Sequence, residues 1–376
     1  MKFLRVHFPL LLLAGLLLLA GCSERDRPLD SPVRFEGGIF GSFYQVTIAD
    51  PLTQGQARAL EEGILAVLEA VDVAMSIYIE DSELMAFNHS PLEEWQPLSD
   101  ELMEVLAISQ AVAEKSDGAF DVTMGALVNL WSFGGEARPR EVPDEAALAE
   151  RLEMVGFDAL ELDSAGLQAR RTRDVFVDLG GVAKGHAVDR VAAYLDREGI
   201  EHYLVNLGGD LIARGYRNAG GGDDGEAESW RIGVEAPLED RQEAQYVLPI
   251  GDVSLATSGD YRNYFEEGGQ RFSHTLDPRS GRPIDHRLAS VSVLHPSNAW
   301  ADAWATALMV LGDEAGMALA VAQDLKVLMI VRVDEGWESL VSPAFVAYFG
   351  DELVDELGLV AVAEPGDLET EPAPNE

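Results

Sequence analysis

Cysteine is almost missing from this chain: Cys22 is the only one in 376 residues. No disulfide can close within it, so a packed core has to hold the fold. Basic residues are scarce too, 27 against 66 acidic, for a formal net charge of −39. Such a surface repels nucleic acid and anionic lipid, and nucleic acid is not expected as a partner. The familiar phosphate signatures are also lacking. GGVAKGHA at 180–187 does not end in GK[ST], and its glycines are not spaced as G-x-G-x-x-G. No internal repeat is visible. Apolar residues are not in short supply, at 47% of the chain, which excludes a disordered acidic polymer and leaves a globular protein of one large or two ordinary domains.

The first apolar run belongs to a leader. Lys2 and Arg5 precede an apolar stretch over 8–20, and Leu19-Ala20-Gly21-Cys22 follows. A basic start, a short apolar segment and small residues make a secretory signal, too short for a comfortable membrane span. The position of Cys22 resembles the bacterial lipobox. The expectation is a signal peptide over 1–21, lipidation at Cys22, a linker over 22–36 and a protein anchored outside the cytoplasm.

The stretch 175–195, VFVDLGGVAKGHAVDRVAAYL, organises the rest. Val175, Val177 and Leu179 alternate as in a strand, Gly180-Gly181 breaks the run, and Val188, Val191, Ala192 and Leu195 recur at helical spacing. Backbone N–H groups at such a turn, with Lys184 beside them, suit an anion. Glycines close ordinary turns as well, so an anion site and a plain strand-to-helix turn both stand. Elsewhere, 40–48 reads as a first strand, and Thr53 caps a helix with Leu60, Ile64, Leu68 and Val71 on one face. Ser99 opens a second helix that stops near Gly118. Met75 and Tyr78 read as core, and Asp121 as an N-cap. The acid- and glycine-rich 217–229 reads as an exposed loop in a hairpin between Leu211 and Val234. Asp302 and Thr306, four apart on a helix, share a face. Strands come in hairpin runs without steady βα alternation, which predicts an α+β fold with mixed or antiparallel sheets and packed helices.

Seven segments in order carry a resemblance: 75–83 (MSIY through SE), GAFDVT at 118–123, DLGGVAKGHAVD at 178–189, NLGGD at 206–210, ATSGDY at 256–261, HTLDPRSGRP at 274–283 and DAWATAL at 302–308. Together they resemble the motifs of the FAD:protein FMN transferases, the ApbE family, over roughly 40–341. The resemblance implies two lobes around a flavin cleft in one domain over 37–350, followed by an acidic tail over 351–376. It also implies cleavage of FAD, attachment of FMN through a phosphoester bond to a threonine of a partner protein, and release of AMP. A Mg2+-dependent FAD pyrophosphatase and a non-catalytic flavin-binding lipoprotein are the alternatives.

By the same resemblance Mg2+ takes the carbonyl of Ala183, the Asp302 carboxylate and the Thr306 hydroxyl. Met75 and Tyr78 fall to the flavin ring, Ala119, Phe120, Asp121 and Asp178 to the ribityl and nucleotide parts, and Lys184 to the phosphates. His274 is the general base, with Asp277 its rival, while Ser258, Gly259 and Ser280-Gly281 shape the pocket. The implied partner is a flavoprotein subunit of an extracytoplasmic electron-transport complex. Ser23 resembles outer-membrane sorting, but such complexes sit in the inner membrane, which is the expected location on the periplasmic side.

Overall fold

The computed structural model describes residues 27–362, apart from 137–138, 220–225, 239–240 and 262. The leader, Cys22 and the acidic residues 363–376 lie outside the described residues.

A nine-stranded sheet runs through the molecule with its strands in chain order: β1 (Val33–Ile39), β2 (Ser42–Ile48), β3 (Tyr203–Leu207), β4 (Asp210–Arg214), β5 (Ser254–Gly259), β6 (Leu288–His295), β7 (Lys326–Arg332), β8 (Trp337–Val341) and β9 (Val360–Ala361). Each neighbouring pair is antiparallel except the last, β8 with β9. Both faces are covered, which explains the unbroken apolar run in β7. Val327, Met329 and Val331 enter one core, and Leu328 and Ile330 the other.

Four long helices cover the first face: α1 (Gln54–Met75), α2 (Asp100–Lys115), α3 (Ala183–Arg197) and α4 (Asn298–Ala322). The expected stripe Leu60, Ile64, Leu68 and Val71 is buried. Thr53 and Gln56 close a capping box at the start of α1, and the Ser99 hydroxyl accepts from Leu102 N at 3.1 Å. The apolar α4 is a core helix packed on β5 and β6. On the second face lie the hairpin Trp230–Glu235 with Ala244–Ile250 and the short helices Pro343–Phe349 and Asp351–Leu357. A third cluster, with Trp131, Leu148 and Leu276, packs round the hairpin of Tyr264–Glu267 and Gln270–Ser273, where Phe265 and Phe272 stack 5.3 Å apart.

Several boundaries differ from the sequence reading. The linker ends early, because β1 already pairs with β2 through a turn in which Phe40 and Gly41 both have positive φ. The acidic tail begins later than residue 351, since Val354 and Leu359 are buried and β9 extends the sheet. Leu211 and Val234 do not belong to one hairpin. β4 pairs with β3 and β5, and Trp230–Glu235 pairs instead with Ala244–Ile250.

The stretch 175–179 is extended but not a strand, with one bridge between Phe176 and Met124. The Asn88 side chain replaces a neighbouring strand: its amide donates to Val177 O at 2.9 Å and its oxygen accepts from Val177 N at 2.8 Å.

Candidate active site

A cavity of about 1180 Å3 opens where the C-terminal end of α1, the start of α3, the β3–β4 turn, β5 and the loop at His274 converge. That exceeds the usual range of roughly 300–1,000 Å3 for a small-molecule site and suits a dinucleotide. Its wall includes Met75, Tyr78, Ala119, Phe120, Asp121, Asp178, Ala183, Lys184, Ser258, Gly259, His274, Asp302 and Thr306. Asp277, Ser280 and Gly281 are not in that wall.

Lys184 leaves the first turn of α3 and pairs with Asp210, which is only 2% exposed. The Gly208-Gly209 turn, with both φ values positive, brings Asp210 back opposite Leu207 at the start of β4. Burial works against the Lys184 ammonium, but the carboxylates of Asp210 and Asp302 outweigh it and hold its pKa above the ordinary lysine range. Asp210 closes the NLGGD segment without a role in the sequence reading. Its acidic side chain after two glycines was the only available signal.

Asp302 and Thr306 face the cavity from α4, as their spacing predicts. Asp302 Oδ2 accepts from Gly185 N at 3.1 Å. No other hydrogen bond to this carboxylate occurs among the described residues. Burial first, then the nearby Asp210, push its pKa up to about 7, against the pull of Lys184 and the Gly185 N–H. Thr306 Oγ1 lies 3.4 Å from Ser258 Oγ. A Cβ on Gly181 would come within 3.2 Å of Thr306 Oγ1, so the glycine lets the turn before α3 approach this helix face.

The Asp302 carboxylate and the Thr306 hydroxyl are hard oxygen donors that fit a divalent cation such as Mg2+, and Ala183 lines the same cavity. A cation would also relieve the cost of ionising Asp302. The described residues contain no group of three or more His, Cys, Asp or Glu placed to hold a metal, so Zn2+-type ligation is not offered here.

The anion-suited turn is partly realised. Gly180-Gly181 leads into α3, and Val182 provides no side-chain cap. Two N–H groups of the first turn are nevertheless taken, that of Ala183 by Leu179 O at 2.8 Å and that of Gly185 by Asp302. Asp178 accepts from Gly180 N at 2.9 Å, and burial raises its pKa. Asp121 is neither a helix cap nor open to a ligand on all sides. It accepts from Thr123 N, Thr123 Oγ1 and Phe157 N at 2.7–2.8 Å, so its carboxylate chiefly holds the 119–123 turn against residue 157. Met75 is both core and cavity wall, whereas Tyr78 stands 72% exposed at the mouth.

His274 is set by its neighbours. Its Nδ1 lies 3.0 Å from the Asn263 carbonyl, which can only accept, so Nδ1 carries the proton and Nε2 keeps a free lone pair. The ring meets Phe133 edge to face at 6.3 Å. Burial lowers its pKa, with Lys184 acting in the same direction, so the imidazole is neutral near pH 7. Asp277 is a poor rival. Both its oxygens are bonded by the Arg279 guanidinium at 2.8 and 2.9 Å, and it also accepts from Arg279 N. Gly281 accepts from Trp131 Nε1 at 2.8 Å, which ties this turn to the third cluster and not to the cavity.

The sequence profile of the ApbE family matches residues 40–329. An FAD:protein FMN transferase of Vibrio cholerae is 40% identical over 336 residues, covering 89% of this chain and 97% of the relative. One from Escherichia coli is 35% identical over 349 residues, 91% and 97% of the two chains. The solved flavin transferase ApbE from Vibrio cholerae superposes with a TM-score of 0.75 at 38% identity, covering 84% of this chain and 99% of that one.

Proposed function

This chain belongs to the ApbE family and is an FAD:protein FMN transferase, and we propose that it delivers FMN to a threonine hydroxyl of an extracytoplasmic partner with Mg2+ bound at Ala183, Asp302 and Thr306. The observation that carries the site assignment is the meeting of Lys184, His274, Asp302 and Thr306 in one cavity wall.

The reaction follows from what these groups do. The acceptor oxygen bonds to the flavin-side phosphorus of FAD as its proton passes to His274 Nε2. The bridging P–O bond breaks, and AMP leaves with the electron pair. Lys184, held in its charged form by Asp210, offsets charge growing on the pyrophosphate. Bound Mg2+ supplies further charge neutralisation to the phosphates. Asp178 and the 119–122 turn shape the wall for the nucleotide, and Tyr78 at the mouth offers a ring face to the flavin. Intact mass of an acceptor protein before and after incubation with FAD and Mg2+, followed by peptide mapping, tests this reading. The expected result is one FMN adduct on a threonine; an adduct confined to another residue type contradicts it.

The metal assignment predicts a pH dependence. Asp302 must lose its proton to bind a cation, and its pKa is pushed up to about 7. Half-saturating Mg2+ should therefore rise as the pH falls below about 7, approaching roughly tenfold per pH unit for one displaced proton. A half-saturation value that stays flat from weakly alkaline to weakly acidic buffer places the metal elsewhere.

We also propose the periplasmic face of the inner membrane as the location, with a lipid at Cys22 as the anchor and an electron-transport flavoprotein as the acceptor. The leader supports this reading. Intact mass of the membrane-extracted protein should show the lipid increment, and Cys22→Ser should lose it. Equal masses, apart from the substitution itself, refute lipidation.

A further inference from the structure

The two helices that carry the site cap each other. The α3 N-terminus has no side-chain cap of its own, and Asp302 from α4 accepts from its Gly185 N at 3.1 Å. The α4 N-terminus also lacks a cap from its own N-cap residue, Ser297. Asp189 from α3 fills that place: its carboxylate accepts from Ser297 Oγ at 2.6 Å, Asn298 N at 2.7 Å and Ala299 N at 3.0 Å. Two helix N-termini, each with unpaired N–H groups and a partial positive charge, thus exchange carboxylates across one contact.

The contact is also close. A Cβ on Gly185 would lie 2.4 Å from Asn298 O and 2.8 Å from Ala299 Cα, both backbone atoms, so only glycine permits this approach. The Asn298 amide then ties the start of α4 to the sheet, donating to Leu211 O at 2.9 Å and Leu255 O at 3.1 Å. Leu211 follows Asp210, and Leu255 lies on the strand that carries Ser258. The start of α4 is therefore fixed to the helix bearing Lys184 and to the strands bearing Asp210 and Ser258. Asp302 and Thr306 stand about one and two turns farther along the same helix.

We infer that Asp189 is a positioning residue for the metal pocket: by capping α4 from α3, it sets where Asp302 and Thr306 stand relative to Ala183. The inference rests on the Mg2+ assignment made above. A cap that served stability alone would lower the melting temperature when removed but leave metal affinity unchanged. A cap that sets the ligand geometry changes affinity even in the protein that remains folded.

The test titrates the FAD-free protein with Mn2+ as a spectroscopically visible stand-in for Mg2+, following loss of the free-ion EPR signal. Asp189→Ala is expected to weaken Mn2+ binding by up to roughly 10-fold, the low end for groups bonded directly to metal ligands, and Asp189→Asn, which keeps an acceptor oxygen, by less. Ser297→Ala removes one of the three bonds and carries the test if Asp189→Ala does not fold; a measurable weakening is expected there too. Unchanged Mn2+ affinity in the folded Asp189 and Ser297 variants, with only a lowered melting temperature, overturns the inference. Asp302→Ala is run alongside. Loss of binding in that variant while the Asp189 variants bind normally defeats the positioning role alone. Normal binding in Asp302→Ala defeats the metal assignment, and the positioning role falls with it.

Discussion

His274→Ala is expected to slow FMN transfer by roughly 10²–10⁴-fold while FAD still binds, the loss typical of removing a general base. The Asn263 carbonyl fixes the proton on Nδ1, which leaves Nε2 as the one ring atom able to take a proton. Burial keeps the pKa below the usual histidine value of 6.5, so the base is already free at neutral pH. Transfer by the wild-type protein should therefore be pH-independent in this limb at neutral pH and fall only as acid protonates the ring, below the ordinary histidine range. Single-turnover transfer and FAD binding measured on the same preparation check this. A variant that transfers at the wild-type rate removes His274 from the chemistry, and one that simply fails to bind FAD assigns it to binding.

The second large effect belongs to Lys184. Losing a donor aimed at developing charge typically costs on the order of 2.7–4 kcal/mol, about 10²–10³ in rate. A single substitution here confounds two losses, because Asp210 is buried and would keep its charge without a partner. Lys184→Met should therefore lose both stability and rate. Adding Asp210→Asn should restore much of the stability, since the orphaned charge is gone, and leave the rate low. Recovery of rate in the double variant would show that Lys184 serves only to neutralise Asp210. Thermal midpoints and transfer rates at saturating Mg2+ separate the two outcomes.

What could be read from the chain beforehand was mostly local. Thr53, Ser99 and the stripes of α1 and α3 act within a few residues, so their spacing is enough. The Asp302–Thr306 pair is legible for the same reason: four residues on a helix make one face. Long-range substitutions of one partner for another were not legible. Residues 175–179 alternate like a strand, but Asn88 occupies the place where a neighbouring strand would pair. Residue type also misled at Asp277, which looks like a base until Arg279, two positions on, claims both its oxygens. Asp121 was misread as a helix cap because only the fold brings Phe157 N to it. Asp210 and Asp189 escaped notice because each works on a group far along the chain, Lys184 for one and the start of α4 for the other. Residues 33–36, the first half of β1, read as linker because only their pairing with β2 makes them a strand.

The acceptor dependence of AMP release tests the central claim most directly. Enzyme, FAD and Mg2+ are incubated with and without a threonine-bearing acceptor flavoprotein, and AMP and protein-bound FMN are measured over time. Transfer by this cleft predicts that AMP appears only with acceptor present, and that each AMP is matched by one FMN attached to it. AMP released at the same rate without acceptor, with the acceptor unmodified when present, would contradict the account and make the protein an FAD pyrophosphatase.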